Sequence, residues 1–134
     1  MKSGGVMDVL IVESDPNLGQ VWQRHMARQG MSARLETCQS KAINALQTQS
    51  FDIVVLDLVL AEGSALAIAD FASYRHPHSQ IVFVTNTSFF SDGSIFAMNA
   101  NARAFLQSDT PPEDLTAMIA HFGASAPGAA KQTA

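Results

Sequence analysis

Three polar residues close runs of otherwise apolar sequence: Glu13 after "DVLIV", Asp57 after "FDIVVL" and Thr85 after "QIVFV". Asp57 is the most informative of them. Leu58, Val59 and Leu60 continue the apolar run beyond it, so no helix or tight turn begins there for it to cap. An unpaired carboxylate in such surroundings is costly, and its site normally offers a cation, a hydrogen-bond donor or an exit to water. Two carboxylates and a hydroxyl around one crevice suit a hard cation such as Mg2+, which takes one or two carboxylates together with waters and phosphate oxygens. A carboxylate beside such an ion can attack phosphorus and carry the phosphoryl group as an acyl phosphate. On that chemistry Asp57 is the nucleophile.

The elements that must bring these residues together are legible as alternating strands and helices. Asp8 to Glu13, Phe51 to Asp57 and Gln80 to Thr85 are continuous and rich in β-branched residues, as expected of central strands covered on both faces. Ser32 to Glu36 and Arg103 to Gln107 are shorter and more mixed, which suits strands nearer an edge. Five helical candidates lie between and after them. The first follows "SDPN", with Asp15 as N-cap and Pro16 at the first helical position, and places Leu18, Val21, Trp22 and Met26 on one face. The second covers Ser40 to Gln49, the third Ala65 to Tyr74, and the fourth Ser94 to Ala102. The last begins near Pro112 and lines up Leu115, Met118, Ile119 and Phe122. Strict alternation with short connections implies a three-layer α/β domain, with a parallel sheet and right-handed crossovers. In open sheets of this kind ligands gather at the carboxyl ends of the strands, where strand order reverses. Glu13, Ser14, Asp57, Thr85, Gln107 and Ser108 are the residues at that rim.

Composition narrows the function. The 134 residues are 47% hydrophobic and 15% charged, which fits one domain with a sizeable core. We place it at 1–123 and read the small, polar segment 124–134 as a disordered tail. No apolar stretch reaches the roughly 18 residues of a membrane helix, and "MKSGGVMD" has no apolar signal core, so a cytoplasmic location is expected and a membrane partner is not. The formal net charge of −4, without a Lys/Arg cluster, argues against a nucleic-acid partner. Cys38 is the single cysteine, which excludes an internal disulfide, and reads as a small core residue.

At the rim residues the chain resembles the receiver domain of bacterial two-component response regulators. The resemblance runs from about Val6 to Phe122 and rests on four pieces in order: "VLIVESDPNL", "FDIVVLDLVLAEGSAL", "IVFVT" and "ARAFLQSDTPPEDL". It implies a flavodoxin-like sheet with strand order 2-1-3-4-5. It also implies that Asp57 accepts a phosphoryl group from a histidine kinase or phosphotransfer protein, and that Thr85 hydrogen-bonds the phosphate. Mg2+ would be held by Glu13, Asp57 and the backbone carbonyl of Val59. Phe105, where the family often carries a switching aromatic, would report the change on the face formed by the fourth helix, the fifth strand and the last helix. That face is also where a downstream protein or a second copy would dock. Catalysis, if any, is limited to the chain's own phosphorylation.

Three positions depart from the family. Receivers normally carry two adjacent acidic residues after the first strand, and here those positions read Glu13 and Ser14. Removing one charge about 4 Å away forfeits on the order of 4 kcal/mol at an effective dielectric near 20, before serine and water recover part of it. Mg2+ should therefore bind more than tenfold more weakly. Ser108 stands where the family usually has a lysine, and Asn86 where it usually has a very small residue. Both metal charge and lysine stabilise the transferring anion, so their loss slows phosphorylation. The alternative reading is a degenerate receiver that docks to a partner irrespective of phosphorylation.

Other residues invite and fail a chemical reading. His76 and His78 flank Pro77 but have no further ligands in sequence, so they read as an exposed turn. His25 and His121 are expected to face water, and Trp22 to pack in the core. Phe89 and Phe90 are adjacent in "TNTSFFSDG", where both rings cannot easily point inward. One of them suits either a partner surface or anchoring against the fourth helix. The turn "ESDPNLG" lacks the glycine-rich loop of a nucleotide site. Val59 occupies the place where a phosphatase of the haloacid dehalogenase type needs a second Asp.

Overall fold

Strands that are apolar on both faces need a helical layer above and below, and the computed structural model of the chain supplies both. It describes residues 7–58, 60, 63–85, 102–107 and 110–124. Within them the elements are β1 (Asp8–Val12), α1 (Pro16–Arg28), β2 (Ser32–Glu36), α2 (Gln39–Thr48) and β3 (Ile53–Asp57). They continue with α3 (Ala65–Arg75), β4 (Gln80–Thr85), β5 (Ala102–Gln107) and α4 (Pro112–Ala124). The five strands form one parallel sheet in the order β2-β1-β3-β4-β5. The two mixed strands, β2 and β5, are its edges, as their composition predicts. The strand order and the α/β architecture match the flavodoxin-like expectation.

Strict alternation within each strand divides the core in two. Leu10, Val12, Val54, Leu56, Ile81 and Phe83 face α2 and α3, where Ala42, Leu46, Ile68 and Ala72 meet them. Val9, Ile11, Ile53, Val55, Val82 and Val84 face α1 and α4, against Trp22, Met26, Leu115 and Ile119. Each of the larger fully buried side chains contributes about 1.5–3 kcal/mol of transfer free energy. The two layers therefore fix the strand register from both sides.

Local chemistry sets the helix ends. The Asp15 side chain accepts from the backbone N–H groups of Asn17 at 3.0 Å and Leu18 at 3.5 Å, and Pro16 opens α1 at no hydrogen-bond cost. At the other end Met31 N–H donates to Met26 C=O and Gly30 N–H to Ala27 C=O, both at 3.0 Å. Gly30 has φ +85°, which makes this a Schellman ending that needs glycine. Ser64 caps α3 by accepting from Ala67 N–H at 3.2 Å. Pro112 begins α4, with Glu113 and Asp114 in its first turn, where they complement the helix dipole.

The structure corrects several expectations. Cys38 is not a core residue: it is the half-buried N-cap of α2, with its Sγ 3.6 Å from Ser40 Oγ. His76 is not simply exposed. It caps the end of α3 and is half-buried, with Nε2 2.6 Å from Leu46 C=O, so that nitrogen carries the proton. The contact serves one of the carbonyls that the last turn of α2 leaves without an intrahelical donor. His25 likewise turns back onto its own helix, with Nδ1 3.0 Å from Val21 C=O, while His78 and His121 are exposed. Trp22 packs in the core as expected, although its Nε1–H has no acceptor among the described residues. β1 stops one residue short of Glu13, β3 begins at Ile53 rather than Phe51, and α2 and its end shift by one residue. Ala102 opens β5 rather than closing a fourth helix, the rest of which (94–101) lies outside the described residues. Val59, Asn86, Phe89, Phe90, Ser108 and segment 125–134 are also outside them.

Candidate functional site

The strand order reverses between β1 and β3, because β2 continues the sheet beyond β1 and β4 beyond β3. Two acids lie at the carboxyl ends of this pair. Glu13 directly follows β1, and its N–H donates to Glu36 C=O at 3.1 Å. Asp57 is the last residue of β3, in register with Val84 of β4, and the next N–H, that of Leu58, donates to Val84 C=O at 2.8 Å. Counting in twos from buried Val9 and Ile11, and from Ile53 and Val55, puts both acids on the face that looks toward α1 and α4. The two carboxyls consequently meet at hydrogen-bond range. Thr85, fully buried, ends β4 at the same rim, one residue beyond the register partner of Asp57 and opposite Gln107.

Glu13 is 4% exposed and Asp57 8% exposed, so both acids have been drawn largely out of water. The Glu13 Oε2 atom accepts from the backbone N–H of Asp15 at 3.1 Å, while Oε1 is buried with no donor among the described residues. Its carboxyl is raised from the ordinary 4.5 to about 8, first by burial and then by the hydrogen bond to Asp57. The Asp15 N–H acts in the opposite direction, and the charges of Asp57 and Asp15 add to the rise. Two ionised carboxylates are both acceptors, so their contact becomes attractive only with a proton or a cation between them. The orphaned oxygen beside a second carboxylate therefore fits an oxygen-seeking cation such as Mg2+.

The supply of carboxylates is smaller than such ions usually receive. Among the described residues no third Asp, Glu, His or Cys joins this pair in a group that could hold a metal. Asp15 is committed to capping α1 through its side chain, and Ser14 is half-buried without a carboxylate to offer. Phe105 stands in β5 opposite Phe83 in the register. The raised Glu13 carboxyl is the feature that sequence reasoning missed. Its signal was present, because the shared strand phase of Glu13 and Asp57 predicts two carboxyls in contact.

The comparisons with known proteins place this geometry. The family model described as response regulator receiver domain matches residues 9–120. The response regulator protein PilR of Pseudomonas aeruginosa is 28% identical over 106 residues, which cover 79% of this chain. The chain spans about a quarter of that relative's length, 23%. Among solved structures, a CheY-like receiver domain protein from Methanospirillum hungatei superposes with a TM-score of 0.81 at 18% identity, covering 90% of this chain and 95% of that one. A response regulator from Burkholderia pseudomallei, solved with a phosphorylated aspartic acid, calcium ion and citrate, gives 0.73 at 16% identity over 88% of this chain and 73% of that one. These two likenesses speak for the fold, while the family match extends over most of the chain, both acids and Thr85 included. By that match the chain belongs to the response regulator receiver domain family of two-component signalling.

Proposed function

We propose that Asp57 is the phosphoacceptor of this receiver and that a histidine kinase or phosphotransfer protein supplies the phosphoryl group. The observation that carries the reading is the meeting of the Glu13 and Asp57 carboxyls where strand order reverses. One Asp57 carboxylate oxygen attacks phosphorus, the bond from phosphorus to the donor imidazole nitrogen breaks, and an aspartyl phosphate forms. The departing imidazole takes its proton from water. Thr85 donates its hydroxyl to a phosphoryl oxygen. Glu13 and Asp57, with the Val59 carbonyl, would hold Mg2+, whose charge when bound offsets that of the incoming phosphate. A relative in fold carries a phosphorylated aspartic acid and a calcium ion, which supports the same use of this rim.

The output is a changed protein-binding surface on the side of β5 and α4, with Phe105 as its reporter and a downstream protein or second copy as its partner. Ser14 and Ser108 make the reaction slower than in receivers with the full set of charges. The decisive experiment is incubation of the purified protein with Mg2+ and acetyl phosphate, or with a phosphorylated kinase, followed by intact mass measurement. A phosphoryl adduct that disappears in Asp57→Asn supports the reading. No adduct from either donor overturns it and leaves a receiver that docks constitutively.

A further inference from the structure

A phosphoryl group on Asp57 would leave through a transition state that spreads negative charge over its oxygens and onto the departing carboxylate. Positive charge at the rim is what speeds such a departure. Of the eight Lys and Arg residues, the described structure places six. Arg28 ends α1 and Arg75 ends α3, where the chain turns back toward the amino ends of β2 and β4. Arg24 lies about 12 Å along α1 from its start at Pro16. Arg103 is the second residue of β5, which runs on to Gln107 before reaching the rim. Arg34 is in register with Leu10 and donates to Glu36 at 2.8 Å. Lys41 alone of the six is near the rim, and it is exposed on α2, whose layer covers the face opposite to the one that the two acids share. Lys2 and Lys131 lie outside the described residues. The rim residues themselves add no cation: the neighbour of Asp57 is the Glu13 carboxyl, Ser14 is neutral and half-buried, and Asp15 is committed to capping α1.

We infer that this chain does not speed the hydrolysis of its own aspartyl phosphate, so that the group on Asp57 persists until another protein, bringing cationic groups to the rim, removes it. The inference rests on the reading of Asp57 as phosphoacceptor. In hydrolysis a water oxygen attacks phosphorus and the bond from phosphorus to the Asp57 oxygen breaks. The carboxylate is restored, inorganic phosphate is released and one proton passes to solvent. A single stabilising group missing from such a transition state costs about a hundredfold to a thousandfold in rate. Gain and loss of the phosphoryl group pass through the same kind of transition state, so the shortage of charge slows both. Turnover falls, while the fraction phosphorylated at steady state does not. Water brings no charge to the rim, whereas a protein that takes up the phosphoryl group brings its own.

The test follows the lifetime of the adduct. The full chain is loaded with acetyl phosphate, freed of the donor by desalting, and sampled over time by intact mass measurement, once in EDTA and once in Mg2+. Acetyl phosphate in the same buffers gives the decay of an acyl phosphate that no protein assists. The wild-type adduct should decay within about tenfold of that reference in both buffers, well short of what one well-placed charge contributes. Ser14→Asp, which returns a carboxylate to the rim, should keep the slow decay in EDTA and shorten the lifetime by roughly tenfold or more in Mg2+. Wild-type decay more than about tenfold faster than the reference, in either buffer, overturns the inference and leaves Asp57 as phosphoacceptor. A Ser14→Asp adduct as durable in Mg2+ as in EDTA also overturns it, because the missing carboxylate would then not be what spares the phosphoryl group. A wild type that takes up no phosphoryl group overturns the Asp57 reading and this inference with it.

Discussion

Replacing Glu13 by glutamine should stabilise the protein increasingly as pH rises, and the size of the effect follows from the site. Glu13 ionises near 4.5 in the unfolded chain and near 8 in the folded protein. Between those values the folded form binds the extra proton, so stability is greatest below about pH 4.5, falls as pH rises, and levels off above about pH 8. At 1.36 kcal/mol per pH unit the full excursion is on the order of 5 kcal/mol, an upper bound because the site can relax or admit water. Glutamine matches the protonated carboxyl in shape and keeps an acceptor for the Asp15 N–H, but has no charge to release. The assay is urea unfolding of wild type and Glu13→Gln from pH 5 to pH 9 without divalent ions. Titrating groups remote from Glu13 are common to both proteins and cancel in the difference. The wild-type deficit should grow by several kcal/mol across that range. Parallel profiles would refute the claim that a buried proton holds the two carboxyls together.

Asp15→Ala should cost about 1 kcal/mol, within the usual 0.5–2 for an N-cap, measured as a lower urea midpoint at unchanged slope. Phe83→Ala should cost about 3–5 kcal/mol, because the ring is fully buried between the sheet and α2 and α3. Tyr74→Ser, at a position 85% exposed, should stay within about 0.5 kcal/mol of wild type.

Most of the fold could be read from the chain because its strands are apolar on both faces and its helices carry local start and stop chemistry. "SDPN" gave the start of α1 to the residue, and the apolar run from Gln80 to Thr85 gave β4 whole. The errors fell where local pattern meets long-range contact. Cys38 looked like core because it is small and apolar, yet it sits just ahead of α2 as its N-cap and is only half-buried. His76 looked like a solvated turn residue, yet the end of α2 offers it an unpaired carbonyl 30 positions away. The site divides the same way. Glu13, Asp57 and Thr85 were legible as polar residues closing buried strands. The hydrogen bond from Ser64 N–H to Gln39 Oε1, 2.7 Å long and 25 positions apart in sequence, was not, because nothing in the sequence around either residue announces the other.

The proton on Glu13 bears on how weakly Mg2+ should be held at this rim. Ser14 has already removed one carboxylate, and a protonated Glu13 withholds a second until the ion displaces its proton. Binding at neutral pH is then an exchange of one proton for one cation. Apparent Mg2+ affinity should rise about tenfold per pH unit below pH 7 and flatten above about pH 8, where Glu13 is ionised without help. Calorimetric titration in two buffers of different ionisation enthalpy would count the protons released, close to one at pH 7 and close to none at pH 9. Ser14→Asp should raise affinity at every pH without removing the proton release, since it supplies charge but leaves Glu13 beside Asp57. If no proton were released at pH 7, the ion would be binding without Glu13, and the shared-proton account of this pair would be wrong.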